Sequence, residues 1–262
     1  MPWEWIRFWD LIQPAFMFIV GAAMPFALER RLEQGATRGQ VYRHVLARSF
    51  RLMLMSQILM SISRGRMHFQ LINVLAQIGI TYLLCYFIMQ TRFRRQTLIA
   101  ALILVGHWAL FVVFPGSENP FFSKTTNIGG LIDARLFGRV NPGYWATINF
   151  TTSTVTTLFG VWAGQLLKKR RPPAQTMKIL ALWASACLIV GWAIHPWNPI
   201  VKRICTSSFT LYSGGWVLLM LLFFYWLVEV KGYRRWIFPL VVVGANSIFI
   251  PDFQFKHFGA GL

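Results

Sequence analysis

Trp9–Leu28 reads WDLIQPAFMFIVGAAMPFAL, and this stretch decides the fold. It has about the ~20 residues that a helix needs to cross the hydrocarbon core of a bilayer. Its one acid, Asp10, stands at the start. Gln13 and Pro14 fall in the first turn, where proline is tolerated because that N–H has no intrahelical partner. Pro25 loosens the last turn, and the rest is apolar. Such a helix belongs in lipid or in a lipid-buried bundle. The acid, the amide and the prolines mark it as the wall of a site facing one side of the membrane rather than a plain anchor.

The whole chain agrees. Of 262 residues, 56% are hydrophobic, 16% aromatic and only 13% charged, against about 25% charged in a soluble domain. Mean hydropathy is +0.50. Apolar runs separated by short basic clusters predict an all-α, polytopic helical membrane protein with a single domain over 1–262. The net charge of +18 does not imply nucleic acid, because the cations sit in loops rather than on one continuous surface. Cys85 and Cys187 lie inside apolar runs and Cys205 at a segment edge, with neither a disulfide framework nor metal-ligand spacing.

Eight candidate spans follow: 9–28, 45–63, 71–90, 97–114, 145–167, 176–194, 206–230 and 237–250. Alternate loops differ in charge. The loops after the first, third, fifth and seventh spans, with the span ends beside them, hold 17 of the 26 Lys and Arg; the other side holds 9. The richer side is read as cytoplasmic. That leaves the loop 115–144 outside, and it is the only long one. Both termini read as cut: the chain starts outside with almost no tail. The last span has about 14 apolar residues, or about 21 Å of helix against a core of about 30 Å.

Polar residues inside the spans define faces. Asn73, Gln77 and Thr81 recur at i, i+4, i+8, a stripe that either bonds neighbouring helices or lines a site. Thr147, Thr151, Thr154 and Thr157 share another face, continued by Gly160 and Gly164. That face is either a close helix contact of the small-xxx-small kind or a slot lined with hydroxyls. Asn246 and Ser247 sit deep in the last span. Asp10 is either a helix cap alone or a cap with a further role. Of the histidines, His68 and His195 lie on the outer side, His107 is mid-span, His44 is in an inner loop and His257 in the tail. HExxH, GxSxG and the Walker glycine loop are absent from the sequence. From the residues alone, the chain is a polytopic membrane protein whose polar core opens to the outside.

Five ordered stretches carry a resemblance: Asp10–Gly21 (DLIQPAFMFIVG), Leu71–Tyr82 (LINVLAQIGITY), Thr147–Gly160 (TINFTTSTVTTLFG), Asn198–Gly215 (NPIVKRICTSSFTLYSGG) and Gly244–Ile250 (GANSIFI). Together they resemble the heparan-alpha-glucosaminide N-acetyltransferase family of transmembrane acyltransferases, bacterial members included. The resemblance implies that acetyl-CoA is taken as co-substrate from the cytoplasmic side and its acetyl group passed to an amino sugar or glycan outside. In that pattern Asp10 orients the base, and Gln13, Asn73, Gln77, Thr151, Thr154, Asn198, Lys202, Asn246 and Ser247 line the acceptor and core. The family's histidine precedes the D-L motif in a segment reading roughly H-x-x-W-x-G. Here Trp3 matches the tryptophan, Trp5 replaces the glycine, and the histidine position falls just before Met1, so catalysis by the chain as it stands is an open expectation. The resemblance also implies membrane lipids as surroundings, a bacterial inner-membrane location, no metal and no nucleic acid, and it admits a homodimer. The rival from another class is a transporter or small-molecule-binding membrane protein without chemistry.

Overall fold

The computed structural model describes residues 5–65, 69–114, 121–124, 126–138, 140–141 and 143–233, with the side chains of 63 and 64 excepted. The expectations for His68, Asn246, Ser247, His257 and the candidate span 237–250 lie outside the described residues. Two compact units divide the chain, Met1–Leu219 and Met220–Leu262.

Regular structure among the described residues is all helical: α1 Ile12–Glu33, α2 Arg38–Arg64, α3 Val74–Ile88, α4 Phe93–Val113, α5 Ile128–Phe137, α6 Phe150–Lys168, α7 Pro173–Ala193 and α8 Ser207–Tyr225. Short 3-10 turns, Phe8–Leu11 and Thr147–Asn149, lead into α1 and α6, and a π-helical turn, Trp226–Val230, follows α8. Five segments are long and apolar enough to cross a membrane: Phe8–Glu33, Arg38–Ile62, Phe93–Val113, Pro173–Ala193 and Ser207–Val230. The chain is therefore a multi-pass helical membrane protein. In the second unit Phe223 meets Phe224 edge-on at 5.6 Å, and Lys231 lies over the Trp226 ring at 5.4 Å.

Helix α6 is the centre of the first unit. Every residue from Thr152 to Val161 is buried. A run so rich in threonine is viable there because each hydroxyl can be spent on its own helix. Thr154 donates to the Phe150 carbonyl at 2.7 Å, and Thr157 to that of Ser153 at 3.0 Å. Glycines then bring α1 against α6. A Cβ on Gly21 would overlap the Thr157 carbonyl, one on Gly160 the Phe18 carbonyl, and one on Gly164 the Ala22 carbonyl. The glycine part of the Thr/Gly stripe is thus a helix–helix contact in which backbone meets backbone. Gly79 of α3 does the same against the Ser49 carbonyl of α2.

Two boundaries differ from the sequence expectation. The basic stretch 29–44 is no loop: α1 runs to Glu33, and α2 starts at Arg38 after a four-residue turn. Thr37 and Gln40 cap that start reciprocally, at 3.3 Å and 2.8 Å, the T-x-x-Q form of a capping box. The long loop also carries α5, opened by Asn127 accepting from Gly130 N–H at 2.9 Å and closed by Gly138 at φ +69°.

Candidate functional site

The end of the bundle away from the arginine-rich turns is tied together by polar side chains. Asp10 lies in the 3-10 turn ahead of α1. Its Oδ2 accepts from the Arg7 N–H at 2.9 Å, and its Oδ1 from the Lys202 ammonium at 2.8 Å. Both side chains keep about a fifth of their surface open, 19% for Asp10 and 23% for Lys202. The ammonium also lies 5.4 Å from the centre of the Trp145 ring, within cation–π range. Lys202 belongs to the irregular segment 194–206, and the backbone fixes that segment: Trp5 N–H donates to Ile200 O at 3.1 Å, and Ala146 N–H to Arg203 O at 3.4 Å.

One turn deeper, Gln13 Nε2 donates to Gln77 Oε1 at 2.8 Å, and Ser153 Oγ donates to the same oxygen at 3.3 Å. Gln77 is fully buried, so its amide is a fixed acceptor shared by α1 and α6. Ser153 also contacts Cys205 Sγ at 3.9 Å, and that sulfur lies 3.8 Å from Thr210 Oγ1. Burial pushes the Cys205 thiol above its ordinary range, which keeps it a protonated, weakly polar neighbour rather than a thiolate. Asn149 Nδ2 donates to Arg203 O at 2.8 Å. Aromatic rings and cations frame the rim, with Arg203 over Tyr144 at 5.8 Å.

Among the described residues two histidines stand at this end, both with their protons placed by hydrogen bonds. Ile200 N–H donates to His195 Nδ1 at 3.1 Å. The neutral ring therefore carries its hydrogen on Nε2, and it packs 4.7 Å from Trp5. His107 Nε2 faces the Ile204 carbonyl at 3.2 Å, which only accepts, so Nε2 is the donor there as well. Its Nδ1 lies 3.0 Å from the Thr151 hydroxyl, which also donates to the Ile148 carbonyl at 2.8 Å. Neither arrangement presents a free basic nitrogen at Nε2.

The expected residues thus separate. Asp10 and Lys202 form one pair; Gln13 and Gln77 form another. Asn73 sits just outside α3 as its N-cap, accepting from Leu75 N–H at 2.9 Å. Thr151 serves His107, and Thr154 spends its hydroxyl within α6. Asn198 is buried, and its Oδ1 has no partner; the same holds for Oδ1 of Asn149. These orphan acceptors cost free energy unless a donor reaches them. Sequence reasoning did not single out Trp145, Asn149, Ser153, Cys205 or Asp133. Asp133 is buried on α5, and both its oxygens accept from Thr147 N–H, at 3.2 Å and 3.1 Å. Burial raises its pKa against the lowering effect of the Thr147 hydroxyl and N–H beside it. Among the described residues no three His, Cys, Asp or Glu side chains converge as a metal would require.

At the other end, a groove of about 610 Å³ opens between α1 and α6, lined by Pro25, Leu28, Leu32, Met89, Lys168 and Lys169 among others. Lys168 pairs there with Glu29 at 2.7 Å. Compared with models of known protein families and with curated protein sequences, the chain matches none.

Proposed function

We propose that the protein is a membrane acyltransferase that moves an acetyl group from acetyl-CoA to an amino sugar or glycan on the other side of the membrane. One observation carries this reading. Four stretches of the family resemblance, far apart in the chain, are joined pairwise by hydrogen bonds in the first unit: Asp10 with Lys202, Gln13 with Gln77, Ser153 with Gln77, and Asn149 with Arg203.

In this reading the rim around Lys202, Trp145 and Tyr144 holds the acceptor, with ring faces for the sugar and cations for acidic groups on it. Asp10 holds Lys202 and orients the base. A base is required because an ammonium cannot attack a thioester. The family's pattern assigns it to a histidine, and His195 and His107 are held in tautomers unsuited to it. At the basic end, Lys168 and Lys169 suit the CoA phosphates, and the apolar groove walls suit its adenine and pantetheine. The proposal includes the finer topology, in which α3, α6 and the stretch 237–250 complete about eight spans of a bacterial inner-membrane protein, with the arginine-rich turns in the cytoplasm.

The test is transfer of labelled acetyl from acetyl-CoA to glucosamine by membranes carrying the protein, expressed from its own locus with any in-frame codons upstream of Met1. Labelled N-acetylglucosamine supports the reading. Uptake of glucosamine without acetylation would instead support a transporter.

A further inference from the structure

We propose that α2 carries a binding site for one anionic phospholipid, its phosphate held by Arg48 and Arg51 with Arg31 of α1, and one acyl chain lying along Met55, Ile58 and Ile62. His44, Arg48, Arg51, Met55, Ile58 and Ile62 recur at i, i+4, i+7, i+11, i+14 and i+18, a single stripe along one flank of the helix. Its upper part is cationic and its lower part apolar, the order of groups in a phospholipid. Arg48, Arg51 and the three apolar residues are all exposed, Met55 at 44%, Ile58 at 49% and Ile62 at 72%. From Arg51 to Ile62 the helix rises about 16 Å, close to half of a core of about 30 Å, the depth of one leaflet.

The cations are held in place without being neutralised. Arg31 donates to His44 Nε2 at 2.9 Å, which makes His44 a neutral acceptor. Arg48 lies over the Tyr82 ring at 4.7 Å. Arg51 spends only its Nε–H, on the Ala47 carbonyl at 3.1 Å. Among the described residues, ion pairs join Lys168 to Glu29 and Lys202 to Asp10, and neither involves these arginines. Three guanidiniums on one flank, each with N–H donors to spare, match the several oxygens of a phosphodiester. The crevice beneath Arg31 and His44 holds only about 20 Å³, space for one water-sized group. The acyl chain therefore has no place inside the bundle and follows the exposed stripe. This apolar continuation favours a lipid over a free phosphate.

The protein is placed in nanodiscs of phosphatidylcholine and phosphatidylglycerol, stripped with detergent, and read by native mass spectrometry. Wild type is expected to retain phosphatidylglycerol in preference to phosphatidylcholine. Arg48→Gln/Arg51→Gln is expected to lose that preference by about tenfold or more. Arg94→Gln/Arg95→Gln, which removes the same charge at another basic turn, is expected to keep it. Retention by the first variant, or an equal loss in both, would overturn the proposal, as would complete release of the lipid by excess inorganic phosphate. A second measurement needs no variant: phosphatidylglycerol with a photoreactive acyl chain should label 55–62 of the unaltered protein. Labelling spread evenly over all lipid-facing helices would contradict the site.

Discussion

The Lys202 ammonium lies 2.8 Å from Asp10 Oδ1, joining residues 192 positions apart in the chain. The bond ties the entry of α1 to the segment before α8, and it fixes what Asp10 does. The carboxylate accepts from Arg7 N–H with one oxygen and from a side-chain cation with the other. Asp10 therefore does more than cap a turn.

The first prediction concerns that pair. Asp10→Asn retains an acceptor for the Arg7 N–H but leaves Lys202 without its counter-charge. Asp10→Asn, Lys202→Met and the double variant form a cycle. The expected coupling is about 1 kcal/mol, the upper range for a partly exposed pair. Denaturant unfolding in detergent measures it, and additive effects would mean that the pair contributes nothing.

A second prediction tests the α1–α6 contact. Gly160→Ala places a methyl against the Phe18 carbonyl and should destabilise by about 1–3 kcal/mol or more. Gly106, also helical, has nothing within 4 Å of an added Cβ. Gly106→Ala should be neutral or stabilise by up to about 1 kcal/mol. Thermal melting of the two variants side by side distinguishes packing from a general intolerance of alanine.

Gln77 is the acceptor for one half-buried donor, Gln13, and one buried donor, Ser153. Gln77→Leu strands the Gln13 amide and the Ser153 hydroxyl, at an expected cost of about 1–3 kcal/mol. Adding Gln13→Leu should recover part of that loss, because one stranded donor is then removed. A double variant that is less stable than Gln77→Leu would argue against the shared acceptor.

Asp133 sets a pH dependence. Burial raises its pKa above the ordinary 3.8, so the folded protein holds this proton more tightly than the unfolded chain. Its contribution favours the fold below the ordinary value and is lost as pH rises through the raised one. Asp133→Asn keeps an acceptor for Thr147 N–H and has no proton to lose. The variant should flatten the melting-temperature profile across the acid range above pH 3.8. An unchanged slope would assign the dependence to other groups.

How far the sequence could be read depends on which signal each element carries. Length and apolarity locate α1, α4, α7 and α8, where lipid contact dominates. Hydropathy alone leaves α6 out of the five long apolar segments, because of its threonines, yet Thr154 and Thr157 return their hydroxyls to carbonyls of the same helix. It also cut α2 short, because a helix leaving the membrane continues through arginines that are good helix formers. The T-x-x-Q cap at Thr37 and the Asn127 and Gly138 stops of α5 were local signals available in the sequence. At the site, spacing put Asn73 and Gln77 on one stripe, but Asn73 ends the helix that Gln77 belongs to. The pairing of Asp10 with Lys202 could not be read from spacing at all, since only tertiary packing brings them together.

The most direct measurement of the central claim is acetyl transfer to glucosamine by wild type and by Asp10→Asn, with folding of both checked by gel filtration. The account predicts transfer by wild type and a fall of about 10² or more in the variant, the usual scale for losing acid–base assistance, with both proteins monodisperse. Equal transfer by the two, or none by wild type, would contradict it.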